Sequence, residues 1–378
     1  MEPLEFEVDI SVPLICGDGS VGLIGEAASQ FAARRVLLVS DPGVQAAGHV
    51  EVVAQRLEQA GIETFVFSDV HENPTGLDVE NGRDYAAPLQ IDLIVGLGGG
   101  SAMDCAKGVN FLLTNGGKMQ DYWGMGKACV PMLPSIGIPT TTGTGSEAQS
   151  YCLISDADTH VKMACGDPQA RFRKVILDPE LTLTMPQSVA AAGAMDAVSH
   201  ALESFVCAKR NPISSAFAQQ AWKLLDAHFE RGVQSPCLEA RAELQLGAYL
   251  AGLAIEASML GAAHACANPL TANFGLTHGK AVGLMLPHVL IFNSEVAGDC
   301  YQQLTGTLRP MAAVDHLLSR ISKFQEVGEL PRTLQQCGVG EEDLVLLADQ
   351  ASRQWTGKFN PRPFDTAAGL RLYQEAFR

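Results

Sequence analysis

Over the first half of the chain, short apolar runs alternate with stretches of helical period. Residues 36–40, Val-Leu-Leu-Val-Ser, read as a buried strand closed by Asp41-Pro42-Gly43. A helical pattern follows over residues 50–60, then strands over 64–67 and 91–96. The third strand runs into Gly98-Gly99-Gly100 and a helix over 101–113, and a fourth strand covers 132–138 and ends at Pro139. Extended segments fit within residues 4–16. Apolar strands that alternate with helices predict a parallel sheet covered on both faces.

After about Pro186 the texture changes. Residues 188–206, 214–229, 239–255 and 279–293 carry helical periodicity rich in Ala and Leu, and the chain from Ala312 onward is similar apart from a loop at Phe359-Asn-Pro-Arg-Pro363. The pattern predicts an α/β domain over residues 1–186 and an all-helical domain over 187–378. No internal repeat or low-complexity segment interrupts them.

Composition narrows the function classes. With 378 residues the chain is long enough for two packed domains. A net charge of −16 argues against nucleic acid and anionic membrane as partners, since both reward basic patches. Ten cysteines without a Cys-x-x-Cys pair read as free thiols of a reducing cytosol. The acidic start is no signal peptide, and no uninterrupted apolar run reaches membrane-spanning length, so a cytoplasmic protein is expected.

Two segments carry nucleotide chemistry. Gly98-Gly99-Gly100-Ser101 follows a strand and opens a helix, where glycine lets backbone approach a phosphate and the helix start offers free N–H groups. A tight strand–helix turn is the plain alternative. Pro139-Thr140-Thr141-Thr142-Gly143-Thr144-Gly145-Ser146-Glu147 has the hydroxyl density to bond a pyrophosphate and ribose, with a Ser/Thr-capped turn as the plain alternative. Asp41 could accept a bond from a ribose 2′-hydroxyl, or simply cap a helix before Pro42.

Metal chemistry is suggested further along. Asp196 and His200 are four apart, a spacing that puts both on one helix face. With His264 and His278 they would make a four-ligand site for a divalent transition metal.

Taken together, these segments resemble the iron-containing (group III) alcohol dehydrogenases. The matching stretches are Gly98–Lys107, Pro139–Glu147, Gly193–Ser204, Gly261–Asn268, His278–His288 and Asn360-Pro-Arg-Pro363, in order along nearly the whole chain. The resemblance implies a dinucleotide-binding α/β domain with a parallel sheet followed by an all-α metal-binding domain, a dehydroquinate synthase-like architecture with the active site in the cleft between them. It implies that Asp196, His200, His264 and His278 hold Fe²⁺, or Zn²⁺ in some relatives. For NAD it points to Asp41, Asn73, Gly98, Gly99, Ser101, Asp104, Thr140, Thr141, Thr144, Lys162 and Leu181. A homodimer or larger homo-oligomer is expected.

One position departs from the pattern. Family members commonly carry a histidine four residues after the third ligand, where this chain has Asn268. Asn268 and His278 are the candidate catalytic residues, and an amide at 268 cannot relay a proton by titrating. The expected activity is hydride transfer between NAD(H) and a small alcohol or aldehyde. A metal- and NAD-dependent lyase of the dehydroquinate-synthase type, and a non-catalytic nucleotide-binding protein, are the alternatives.

Overall fold

The computed structural model describes residues 12–157, 161–235 and 237–378. The chain separates into two compact units that meet in sequence at Met185 and Pro186.

The first unit is built on a six-stranded sheet. Its strands are β1 (Leu14–Cys16), β2 (Arg35–Val39), β3 (Glu63–Phe67), β4 (Leu93–Gly98), β6 (Ser135–Pro139) and β9 (Lys174–Leu177), in the order β1-β9-β6-β4-β2-β3. Every pairing is parallel. The central strand Leu93–Gly98 is buried along its whole length, as expected of a strand covered on both faces. Helices α1 (Ile24–Ser29), α2 (Pro42–Ala46), α3 (His49–Gln59), α4 (Gly76–Ala86) and α5 (Gly100–Asn115) connect these strands.

Strand order locates the useful edge. From β2 the chain first steps outward to β3, then returns past β2 to β4, so consecutive loops diverge between β2 and β4. In open α/β sheets ligands bind outside the carboxyl ends of the strands at such a reversal. Asp41 and Gly98 follow or end these two strands.

A second sheet was not foreseen from the pattern. Strands β5 (Gly124–Met125), β7 (Tyr151–Ser155) and β8 (Lys162–Gly166) pair in the order β5-β8-β7, with β7 antiparallel to β8. Its β8 segment, Lys-Met-Ala-Cys-Gly, holds no β-branched residue, so local preference gives little sign of a strand. Pairing with β7 and burial of Met163, Ala164 and Cys165 hold it there.

The second unit is helical: α6 (Gln187–Val206), α7 (Pro212–Gln234), α8 (Leu238–Glu256), α9 (Ala262–Phe274), α10 (His278–Thr305), α11 (Pro310–Val327), α12 (Leu344–Ser352) and α13 (Thr366–Glu375). Alanine-rich faces of α6 and α8 pack beside larger side chains of α7 and α11, including a stacked Phe229–Phe324 pair at 4.1 Å. Helix α10 is long and apolar enough to cross a membrane, but 67% of its most apolar stretch is buried in this unit, the signature of a core helix.

Candidate cofactor and metal sites

In the first unit Asp41, Gly98, Gly99, Ser101, Thr140, Thr141 and Thr144 end or follow the carboxyl ends of β2, β4 and β6. Asp41 is the N-cap of α2, its Oδ1 accepting from Gly43 N at 2.9 Å and Val44 N at 3.0 Å. The helix-cap reading is therefore realised, and a side chain on Gly98 would come within 3.0 Å of the other carboxylate oxygen. Gly98 has φ +145°, a conformation that favours glycine. Gly99 is the N-cap of α5 and supplies no side chain, and the first turn of α5 holds no acidic residue. The first N–H groups of this helix thus have neither an intrahelical partner nor a side-chain cap, which suits an anion.

Around that helix start the threonine side chains are close-fitting. A Cβ at Gly99 would stand 3.2 Å from Thr141 Cγ2, and one at Gly100 only 2.7 Å from Thr144 Cγ2. Asn73 adopts φ 55° and donates its N–H to Ser101 Oγ at 3.2 Å. Thr140 is buried, its N–H bonded to Gly98 O at 2.9 Å. Lys162 opens β8, and Leu181 belongs to the apolar cluster that Val44 packs against.

Beneath the threonine-rich loop lies a buried polar group that pattern reading missed. Lys107 Nζ donates to Ser146 O at 2.7 Å, Gln149 O at 2.8 Å and Tyr151 O at 2.7 Å, tying residues 146–151 to α5. Asp104 Oδ1 accepts from Ser146 Oγ at 2.6 Å, so Asp104 is spent on the loop's geometry. Burial pushes the Asp104 carboxyl up, against the pull of Lys107.

Glu147 is also buried, and burial pushes its carboxyl from 4.5 up to about 7, with Lys107 opposing. A carboxyl with a raised folded pKa stabilises the fold fully below its unfolded pKa and loses that contribution as pH rises through the folded value. The window here runs from 4.5 to about 7. Glu147→Gln, a mimic of the protonated acid, should unfold like the original near pH 4 but be the more stable protein near pH 8. Thermal unfolding at both pH values checks this; an equal pH dependence in the two proteins would refute it.

In the second unit α6 presents Asp196 and His200 on one face, and both are buried. His264 lies in the first turn of α9, and His278 is the first residue of α10. Ligand atoms of Asp196, His200 and His264 lie within 4.8 Å of one another. From Asp196 Oδ1 the Nε2 atoms of His200, His264 and His278 stand at 3.4, 3.5 and 3.8 Å. His278 is the outlying member, with 21% of its side chain exposed.

Whether these residues fit a cation can be tested on the geometry. Ligands at about 2.1 Å from a tetrahedral centre are separated by roughly 3.4 Å, close to the 3.4 and 3.5 Å from Asp196 Oδ1 to the Nε2 atoms of His200 and His264. Asp196 Oδ1 and His264 Nε2 are buried without a hydrogen-bond partner, an arrangement that is costly unless something else satisfies them. The residues fit. Burial works against ionising Asp196, yet the surrounding imidazoles hold its carboxyl well below the usual range. Burial likewise lowers the His264 imidazole, but Glu203 and Asp196 together push it up to about 9.

Glycine decides how closely these helices approach. A Cβ at Gly279 would fall 2.0 Å from Ala192 O, and one at Gly283 would fall 2.4 Å from Met195 Cγ. The start of α10, with His278, can therefore rest directly on α6 beside Asp196. Asn268 lies one turn after His264 on α9, and its Nδ2 donates to Gln354 Oε1 at 3.0 Å. Cys266, two residues after His264, is a buried thiol whose pKa burial raises.

Comparison with known proteins agrees across the chain. The family described as "Iron-containing alcohol dehydrogenase" matches residues 12–179, and "Fe-containing alcohol dehydrogenase family, C-terminal" matches residues 190–377. The chain is 31% identical to the NAD-dependent methanol dehydrogenase of Bacillus methanolicus, over 92% of this chain and 93% of that one. It is 30% identical to the 1,3-propanediol dehydrogenase of Klebsiella pneumoniae, covering 96% of each. A crystal structure of 1,3-propanediol oxidoreductase superposes with a TM-score of 0.93 at 30% identity, over 98% of this chain and 100% of the other. This chain accordingly belongs to the iron-containing alcohol dehydrogenase family, as an NAD-dependent, metal-dependent oxidoreductase acting on alcohols or aldehydes.

Proposed function

We propose that Asp196, His200, His264 and His278 hold the catalytic Fe²⁺, with Zn²⁺ an accepted substitute, and that the loops after β2, β4 and β6 hold NAD. The observation that carries this reading is the convergence of three imidazole Nε2 atoms on the buried Asp196 Oδ1, which has no hydrogen-bond partner. A cation there supplies Lewis acidity that favours the ionised alcohol oxygen at neutral pH, and NAD supplies the hydride acceptor. The chain's own residues hold these groups and orient the substrate.

On the cofactor side, the bare start of α5 and the hydroxyls of Ser101, Thr140, Thr141 and Thr144 would bind the pyrophosphate. Asp41 retains one carboxylate oxygen beside Gly98 after capping α2, and its charge favours the ribose 2′-hydroxyl over a 2′-phosphate. Asn73, Gly98, Gly99, Lys162 and Leu181 complete the cradle. Asp104 supports it from beneath through Ser146.

On the substrate side, Gln354 engages the Asn268 amide nitrogen, leaving the Asn268 carbonyl oxygen to accept from a substrate hydroxyl. This favours a small alcohol or aldehyde with a second polar group. Ten free cysteines support a reducing, cytoplasmic setting, and a homo-oligomer completes the proposal.

The test is a spectrophotometric one. Purified protein should consume NADH at 340 nm with short aldehydes, carry about one equivalent of a divalent transition metal per chain, and lose turnover on chelation and regain it with Fe²⁺ or Zn²⁺. Full activity in thoroughly metal-stripped protein would overturn the assignment.

A further inference from the structure

Glu203 lies on α6 seven residues after Asp196 and three after His200, on the face they share. It is 3% exposed, and both of its oxygens are engaged. Oε2 meets His264 Nδ1 at 2.5 Å, while Oε1 accepts from Ala263 N at 2.7 Å. On the far side of the same ring, His264 Nε2 faces Asp196 Oδ1 at 3.5 Å. The imidazole is therefore held between two carboxylates, only one of which belongs to the candidate ligand set.

We propose that Glu203 is the positioning residue of the metal centre: by accepting the Nδ1 hydrogen of His264 it turns the bare Nε2 lone pair toward the cation, and through its second oxygen it anchors the first turn of α9. The inference rests on the metal-site reading above. A neutral imidazole has one donor and one acceptor nitrogen, and only the acceptor can ligate. An ionised carboxylate can only accept, so the oxygen facing Nδ1 places the hydrogen there. Such outer partners orient metal-ligating histidines and raise their basicity.

The surroundings leave Glu203 little freedom to do anything else. Ala263 N–H is one of the helix-start groups without an intrahelical partner. Its neighbour Ala262 N–H donates to Asn360 Oδ1 at 3.2 Å, and Asn360 is itself locked to Asn293 by reciprocal amide bonds of 2.8 and 2.9 Å. A Cβ at Gly261 would come within 2.9 Å of both Asn360 Oδ1 and Glu203 Oε1. The closing Asn-Pro-Arg-Pro segment thus braces the turn that carries His264.

A capping role alone would tolerate any side-chain oxygen, whereas the positioning role needs two acceptors. Glutamine preserves shape but offers one. If it keeps the bond to Ala263 N–H, its NH₂ faces Nδ1 and drives the imidazole hydrogen onto Nε2, where it blocks the cation.

The experiment is a titration of metal-stripped protein with Zn²⁺ against a chromogenic chelator, with thermal unfolding of each metal-free protein in parallel. Glu203→Gln should weaken Zn²⁺ binding by about 10–100-fold while the metal-free protein still unfolds cooperatively. In a His264→Ala background the same change should add no further loss, because it acts through that ring. Wild-type affinity in Glu203→Gln, or a full additional loss in the double variant, would overturn the proposal. Should Glu203→Gln fail to fold, the Zn²⁺-loaded original protein labelled with ¹⁵N-histidine decides. A slowly exchanging Nδ1 hydrogen, absent from His264→Ala, supports the role, and a rapidly exchanging one refutes it. Wild-type Zn²⁺ affinity in His264→Ala would instead defeat the metal-site reading itself.

Discussion

His264→Ala should remove most bound metal and nearly all turnover, with NAD binding retained. Three features of this histidine set the size of the effect. Its Nε2 is buried without a hydrogen-bond partner, its ring stacks on His200 with centroids 4.9 Å apart, and its Nδ1 is tied to Glu203. Alanine deletes a ligand and leaves the Glu203 and Asp196 carboxylates without the group between them. Losing even an outer partner of a metal ligand costs about 10–100-fold in affinity, so losing the ligand should cost at least that. The residues proposed for NAD all lie within residues 12–185, which have their own sheet and core. Metal content, turnover and fluorescence titration with NADH check the three parts separately. A variant with full metal content and normal turnover would remove His264 from the site.

A similarly large loss is expected from Gly279→Ala, for a steric reason. The new Cβ would stand 2.0 Å from Ala192 O, a backbone atom of a buried helix that cannot swing aside. Overpacking typically costs about 1–3 kcal/mol, and contact with fixed backbone belongs at the upper end or beyond. Lifting the start of α10 also draws His278 away from Asp196, so Zn²⁺ affinity should fall together with stability. Gly76→Ala is the control: it sits in the first turn of α4, and nothing lies within 4 Å of the added carbon. Denaturant unfolding and metal titration of both variants give the comparison. Equal stability in Gly279→Ala and the original protein would mean that α10 does not need this close approach to α6.

The outcome for individual segments shows which information is local. Strands β2, β3, β4 and β6 and helices α3, α5, α6, α7, α8 and α10 were legible because each carries its own periodicity, although α10 runs to Thr305, well past the expected end at residue 293. Such properties belong to a few adjacent residues and survive without tertiary context. The turn at Gly98-Gly99 and the Asp196–His200 spacing were equally local, and the family resemblance was legible from short motifs in their order along the chain. Helix α9 was not legible, and β8 was hidden by a composition that does not favour strands.

Other features arise only when distant segments meet. The reversal of strand order between β2 and β4 is a property of pairing, and no stretch of sequence displays it. Lys107 reads as an ordinary helical lysine until folding surrounds it with the carbonyls of residues 146–151. Glu203 stood in plain view on the Asp196 helix, yet its partner His264 lies 61 residues away. The chain alone therefore determined the residue types, the helix faces and the family. Tertiary structure decided which buried polar atoms found hydrogen-bond partners and which did not, because hydrogen-bond satisfaction depends on three-dimensional distance, and spacing along the chain sets that distance only within a few residues.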